Sequence, residues 1–246
     1  MKESRRQKTR KAILLIMFFF FPIVFYYFSP YLIIAGGSEG IIVGSFISFA
    51  GMLLGSLFLG RVFCGWLCPG GATQELCARV NSKNFNGKRR NMIKYFIWIP
   101  WISIVAFVFV QAGGIIAVDP FYQTYYGISI SDITSVITFL VFASLIAGIA
   151  LVAGKRAFCH LGCWMAPFLI IGRKIRNLGK WPSLQLVADK NQCINCQTCT
   201  GGCPMSLDVN SMVQTESMEN SECILCGTCA DNCPKNAIRL SFGTKK

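Results

Sequence analysis

Four apolar runs, residues 12–35, 41–62, 95–117 and 133–153, dominate the sequence. About 20 such residues in a helix cover a hydrocarbon core roughly 30 Å thick. Their only charged residue is Arg61, at the end of the second run. That fits a cost of ~2.5–3.5 kcal/mol for a charge at the centre of a membrane helix. Pro22 and Pro100 fall inside two runs, where neighbouring helices can satisfy the carbonyls a proline frees. With 14% charged residues against about a quarter in soluble domains, the composition gives the same class.

The basic residues give an orientation. All 24 Lys and Arg lie in residues 1–11, 61–94, 155–180 and the tail, and the loops 36–40 and 118–132 hold none. By the positive-inside rule both termini are expected on the cytoplasmic side of an inner membrane. The net charge of +13 is therefore read as a topology signal, and no nucleic-acid partner is expected, because the charges flank membrane segments instead of forming one aromatic-interleaved patch. The N-terminal run is long and bulky with no small-residue cleavage site, so it reads as a retained anchor.

From Trp181 the composition changes. Two motifs follow, "CINCQTCTGGCP" and "CILCGTCADNCP", each C-x2-C-x2-C-x3-C-P. Three thiolates from one tight loop hold a [4Fe-4S] cubane while the fourth reaches across to a second cluster. The spacing predicts crossed ligation, with Cys193, Cys196, Cys199 and Cys233 on one cluster and Cys203, Cys223, Cys226 and Cys229 on the other. A cytoplasmic setting disfavours disulfides, and a zinc site has no use for the Cys-Pro partner.

Two further motifs, "GRVFCGWLCPGG" at 60–71 and "GKRAFCHLGCWMAP" at 154–167, close the second and fourth apolar runs. Arg61 aligns with Arg156, Phe63 with Phe158, Cys64 with Cys159 and Cys68 with Cys163. In a continuing helix, residues four apart share a face, so each pair is expected to present two sulfurs in one direction. Two copies of helix, outer loop, helix and Cys pair would be related by an axis along the membrane normal. Three readings stand for these pairs: packed free cysteines, a thiol–disulfide relay, or a third iron–sulfur cluster or other metal held by Cys64, Cys68, Cys159 and Cys163. Cys77 lacks a counterpart and reads as a packed residue. His160 is the only histidine, so no bis-histidine haem is expected. Tyr26, Tyr27, Tyr31, Tyr122, Tyr125 and Tyr126 read as an interfacial belt, and no quinone pocket is assigned to them.

The expected fold is an α-helical membrane protein, its four transmembrane helices forming two tandem two-helix repeats over residues 1–180. A cytoplasmic α+β ferredoxin domain with two [4Fe-4S] clusters follows over residues 181–246.

With these motifs in view, the chain resembles the NapH-type membrane iron–sulfur proteins, polyferredoxin-like quinol dehydrogenase subunits. The match rests on both ferredoxin motifs and on Cys64, Cys68 and Pro69, and Trp164 departs from it where that family often has proline. The resemblance implies an oxidoreductase subunit relaying electrons between a quinone-type carrier and a redox protein partner, embedded in membrane lipid. Two other roles fit the same residues: an iron–sulfur assembly factor or redox sensor, and a membrane thiol–disulfide relay.

Overall fold

Proline and glycine decide where the apolar runs break. The computed structural model describes residues 4–87 and 90–244. Helix α1 (Arg5–Val24) is capped by Ser4, whose hydroxyl accepts from the Gln7 amide. A 3-10 turn at Phe25–Phe28 follows, and α2 (Pro30–Ser38) restarts the helix with Pro30 at its first position and Ser29 as cap, where a missing N–H costs nothing. Strand β1 (Ile41–Val43), α3 (Gly44–Leu59), the short α4 (Val62–Trp66) and α5 (Pro69–Cys77) come next. After them run α6 (Ile93–Gln111), β2 (Ala117–Asp119), α7 (Ile133–Ala153), the short α8 (Ala157–Leu161) and α9 (Ala166–Gly179). The C-terminal part holds β3 (Ser183–Ala188), α10 (Thr198–Gly201), α11 (Val209–Gln214), α12 (Thr228–Asp231) and β4 (Ile238–Gly243).

Among the described residues, three helical runs are long and apolar enough to cross a membrane: Arg5–Ser38, Arg90–Gln111 and Ile133–Ala153. The second expected span differs. Its first residues enter β1, which pairs in parallel with β2 from Ile41↔Ala117 to Val43↔Asp119. Its helix, α3, then has only 16 residues, which rise about 24 Å. It ends at Gly60, whose φ of +56° turns the chain aside. The connection before α7 is hydrogen-bonded to the end of α1 and the turn after it, Ser129 N to Ile23 O at 3.0 Å and Tyr27 Oη to Gly127 O at 3.2 Å.

Both cysteine motifs turn back into the helix bundle, which the sequence reading had placed at its inner edge. α7 ends at Ala153, yet Trp164 packs at a tilt against Phe142, ring centroids 5.1 Å apart, and Gly70 lies beside Ile146. From these apices α5 and α9 run back out. Asn81, just past α5, donates to Leu151 O at 2.6 Å, and on α9 Phe168 meets Phe49 at 5.2 Å while Gly172 meets Ser56. Irregular backbone at this depth is tolerated only where protein covers it. Here Cys64, Cys68, Cys159 and Cys163 are all buried.

The C-terminal part is built on the antiparallel pair β3–β4, in register from Ser183↔Gly243 to Ala188↔Ile238. Its two cysteine loops are near copies. Asn195 and Leu225 hold left-handed backbone at matching places, as do Gln197 and Gly227. The unit packs against the helices through side chains from α9, α1 and the first motif. On α9, Arg173 forks onto Glu219 at 2.9 and 2.6 Å and also donates to Ser183 Oγ and Leu184 O. Burial pushes the Glu219 carboxyl up, but Arg173 and the Asn177 amide outweigh it and hold the group below its ordinary 4.5. A carboxylate held low stabilises above its unfolded pKa, and the contribution is lost as the pH falls through the folded value.

Arg173→Met strands Glu219 and the acceptors at Ser183 and Leu184. The expected cost is about 2–4 kcal/mol, read as a lower Tm in detergent and faster hydrogen exchange over Ser183–Ala188. The gap between variant and wild type narrows as the pH drops below 4.5.

Candidate metal centres

Pro69 shapes the first membrane motif. It has no N–H and keeps its predecessor out of the helical region. Cys68 is accordingly extended, φ −72° and ψ 118°, and caps α5 with its sulfur, which accepts from Gly71 N at 3.4 Å. α4 has already stopped at Trp66. The expected cysteine pair on one continuing helical face is therefore corrected: Cys64 sits within α4 and Cys68 beyond the break. The second motif breaks alike, α8 ending at Leu161 and α9 starting with Pro167 in its first turn, so Cys163 lies between them.

The two motifs meet. Gln74 on α5 donates to Cys159 Sγ at 3.2 Å and accepts from Phe158 N at 3.0 Å. Cys68 lies within electrostatic reach of Cys64, Cys159 and Cys163. Cys68, Cys159 and Cys163 also border one cavity of about 300 Å³, whose remaining wall is nearly all apolar and includes Phe25, Phe142, Ile146 and Trp164. Cys77 stands apart from that cavity, half-buried at the end of α5.

Beneath these thiols lies a buried ionic layer. Arg156, 1% exposed, donates to Cys64 O at 2.7 Å and to Glu75 at 2.6 Å, and Arg10 forks onto the same carboxylate. Arg61, 2% exposed, donates to Glu222 at 2.9 Å and Ser221 O at 2.8 Å, while Lys94 takes the other Glu222 oxygen at 2.6 Å. Sequence reading aligned Arg61 with Arg156 but assigned neither a role, and it missed Gln74, Glu75 and Glu222. Only the twin position of the arginines beside each cysteine pair was a local signal.

The ferredoxin cysteines form two separate groups. Cys193, Cys196, Cys199 and Cys233 border one small cavity; Cys203, Cys223, Cys226 and Cys229 border the other. No three of the described His, Cys, Asp and Glu side chains converge as they would on a single ion. A [4Fe-4S] cubane takes one thiolate at each of its four iron corners, and each of these cavities is bordered by four cysteines. Polar hydrogens aimed at sulfur suit it too, Ala237 N to Cys233 Sγ at 3.3 Å and Thr198 Oγ1 to Cys196 Sγ at 3.4 Å.

The second group lies directly on the membrane motifs. Trp66 Nε1 donates to Leu225 O at 3.3 Å, and a Cβ on Gly65 would collide with the Ile224 carbonyl oxygen. From the N-terminus, Gln7 donates to Cys226 O at 3.0 Å and Arg6 pairs with Asp231 at 2.7 Å. His160, stacked on Phe85 at 5.1 Å and bonded through Nδ1 to Asn91, is buried beside Met205. The first group faces away, with Cys196 and Ile194 exposed.

Comparison with known proteins agrees with this chemistry. A 4Fe-4S binding domain model matches residues 41–89 and 135–177, the segments carrying the four membrane cysteines, and a 4Fe-4S dicluster domain model matches 192–238. An uncharacterised protein of Methanocaldococcus jannaschii, MJ0750, is 28% identical over 202 residues, 78% of this chain and 76% of the relative. YccM of Escherichia coli, whose name provisionally assigns it to electron transport, is 23% identical over 77% of this chain and 54% of its own. Protein NirI of Paracoccus denitrificans is 27% identical over 64% of this chain. The chain thus spans about half the length of YccM and a quarter of NirI. No solved structure matches it significantly. Apolar helices of crossing length together with 4Fe-4S ferredoxin-type domains make this chain a membrane iron–sulfur protein.

Proposed function

We propose that the chain is an electron-transfer protein that passes electrons between a quinone-type carrier in the membrane and a redox protein on the ferredoxin side. The carrying observation is a series of thiol groups leading away from the apolar cavity. Cys68, Cys159 and Cys163 border the cavity, the Cys203 group lies against the motif that holds Cys64 and Cys68, and the Cys193 group faces outward. In this reading Cys64, Cys68, Cys159 and Cys163 hold one [4Fe-4S] cluster and the two ferredoxin groups hold one each, with crossed ligation. Such clusters take up and give back single electrons at potentials set by charge, hydrogen bonds and exposure.

The chain's own residues supply the rest. A cluster on Cys68, Cys159 and Cys163 would take part of this cavity of about 300 Å³, and the apolar remainder toward Phe25 and Phe142 would take the edge of a flat one-ring headgroup. Phe25, Phe142 and Trp164 offer it aromatic surface, and the Ser29 and Tyr31 hydroxyls in the cavity wall can donate to a quinone oxygen. A quinol gives up two electrons and two protons as it becomes a quinone. The electrons leave singly along the series and the protons go to solvent; quinone reduction is the reverse. In the proposed topology α3 serves as the fourth, short span, both termini are cytoplasmic, and residues 1–180 and 181–246 are the two domains.

Three iron–sulfur sites predict about twelve iron atoms per chain, and about eight in a Cys64→Ser, Cys159→Ser double variant. Crossed ligation predicts that Cys203→Ser disturbs the same EPR signal as Cys226→Ser, and Cys233→Ser the same signal as Cys196→Ser. In proteoliposomes, decylubiquinol is expected to bleach the iron–sulfur absorption of wild type. A side chain at Gly70 meets only Ile146, at ordinary contact distance, so Gly70→Leu fills the cavity and slows that bleaching tenfold or more with iron content unchanged. Clusters that decylubiquinol never reduces would overturn the relay and favour a redox sensor or assembly role.

A further inference from the structure

The ionic layer under the membrane cysteines does not balance. Arg10, Arg61, Lys94 and Arg156 are all buried, and they share two carboxylates, Glu75 and Glu222. Among the described residues, two positive charges are left over. A buried charge without a counter-charge costs several kcal/mol, so a surplus of this size calls for an anion next to it. The guanidinium donors are also incompletely used. Arg61 Nε and Nη2 and Arg156 Nε are buried with no hydrogen-bond partner among the described residues. Both side chains act on the thiols: Arg61 and Arg156 on Cys64, and Arg156 also on Cys159 and Cys68.

Four thiolates around an oxidised [4Fe-4S] core form a dianion, which becomes a trianion on reduction. The surplus matches the dianion. It also favours the extra electron, because each nearby positive charge stabilises the reduced form more than the oxidised one. The ferredoxin cavities have less of such a layer, although Arg61 also lies beside Cys223 through its bonds to Ser221 O and Glu222. The one bordered by Cys203 has no charged side chain in its wall, and the one bordered by Cys193 has only the exposed Lys235.

We infer that Arg61 and Arg156 are positioning residues that set the reduction potential of the membrane site above those of both ferredoxin sites. The inference rests on the reading that Cys64, Cys68, Cys159 and Cys163 hold a cluster, which iron content tests separately. Arg156 is the cleaner handle, since without it Glu75 still keeps Arg10 and the Arg61–Glu222 link to the ferredoxin part is untouched.

The experiment is an EPR-monitored redox titration of the full chain, purified anaerobically in detergent, as wild type, Arg156→Gln, Arg156→Lys and Arg61→Gln. In wild type the signal abolished by Cys64→Ser is expected to have the highest midpoint. Arg156→Gln should weaken its reduction equilibrium tenfold or more, about 59 mV for one electron, and leave the other two midpoints in place. Arg156→Lys, which keeps the charge, should restore most of the shift, and Arg61→Gln should move the same signal in the same direction. If Arg156→Gln loses the signal while Arg156→Lys keeps it at its wild-type midpoint, the charge requirement stands. An unmoved midpoint in Arg156→Gln, an equal shift of all three signals, or loss of the signal in both Arg156 variants would overturn the inference. Iron near eight per chain in wild type would instead defeat the underlying cluster reading.

Discussion

Two carboxylates hold the parts of this protein to one another. Glu75, on the segment between the first cysteine motif and α6, gathers Arg10 from α1 and Arg156 from the second motif. Glu222, in the ferredoxin part, gathers Arg61 from the first motif and Lys94 from α6. Each bridge joins segments far apart in sequence, the Glu222 one buried and the Glu75 one partly so, and in a buried bridge removing one partner costs far more than the pair contributes. The cysteine motifs can re-enter the bundle as irregular backbone because these bridges, with Arg156 on Cys64 O and Gln74 on Phe158 N, satisfy the polar groups that the breaks expose.

The same breaks bring the thiols together. Had α4 continued through Cys68, the sulfurs of one motif would lie a turn apart on a helix face, with no reason to meet those of the other. Pro69 ends the helix, the chain reverses, and Cys68 caps α5 at the apex of the first motif while Cys163 falls in the matching break of the second. Gln74 then joins α5 to Cys159. Proline at the start of both following helices is thus as much a part of the site as the cysteines.

The iron–sulfur character of the ferredoxin part was legible because its signal is local: each motif carries its spacing within eleven residues, and a 4Fe-4S dicluster domain model matches 192–238. Three of the four apolar runs were legible as helices long and apolar enough to cross a membrane, but not their ends. A hydropathy window cannot distinguish residues 41–43 as helix from the same residues as a strand, and their pairing with Ala117–Asp119 is a contact across more than seventy positions. Re-entry was hidden for a related reason, since "FLIIG" after Pro167 is as apolar as a lipid-facing segment although it packs on α3. Glu75 and Glu222 carry no local signal at all. Their partners lie 81 and 161 residues away in Arg156 and Arg61, and only the fold makes them neighbours.

Exposure and charge together order the three thiol groups. The membrane group is sealed from solvent and sits above surplus positive charge, the Cys203 group is buried in an uncharged wall, and the Cys193 group reaches the surface at Cys196 and Ile194. A carrier too apolar to leave the bilayer can approach only the first, and a water-soluble partner only the last. Because Trp66, Gly65 and Arg61 hold the middle group directly against the first motif, the two ends are joined without a mobile tether. In the proposed relay, electron exchange would therefore need no domain movement to join the first motif to the ferredoxin part.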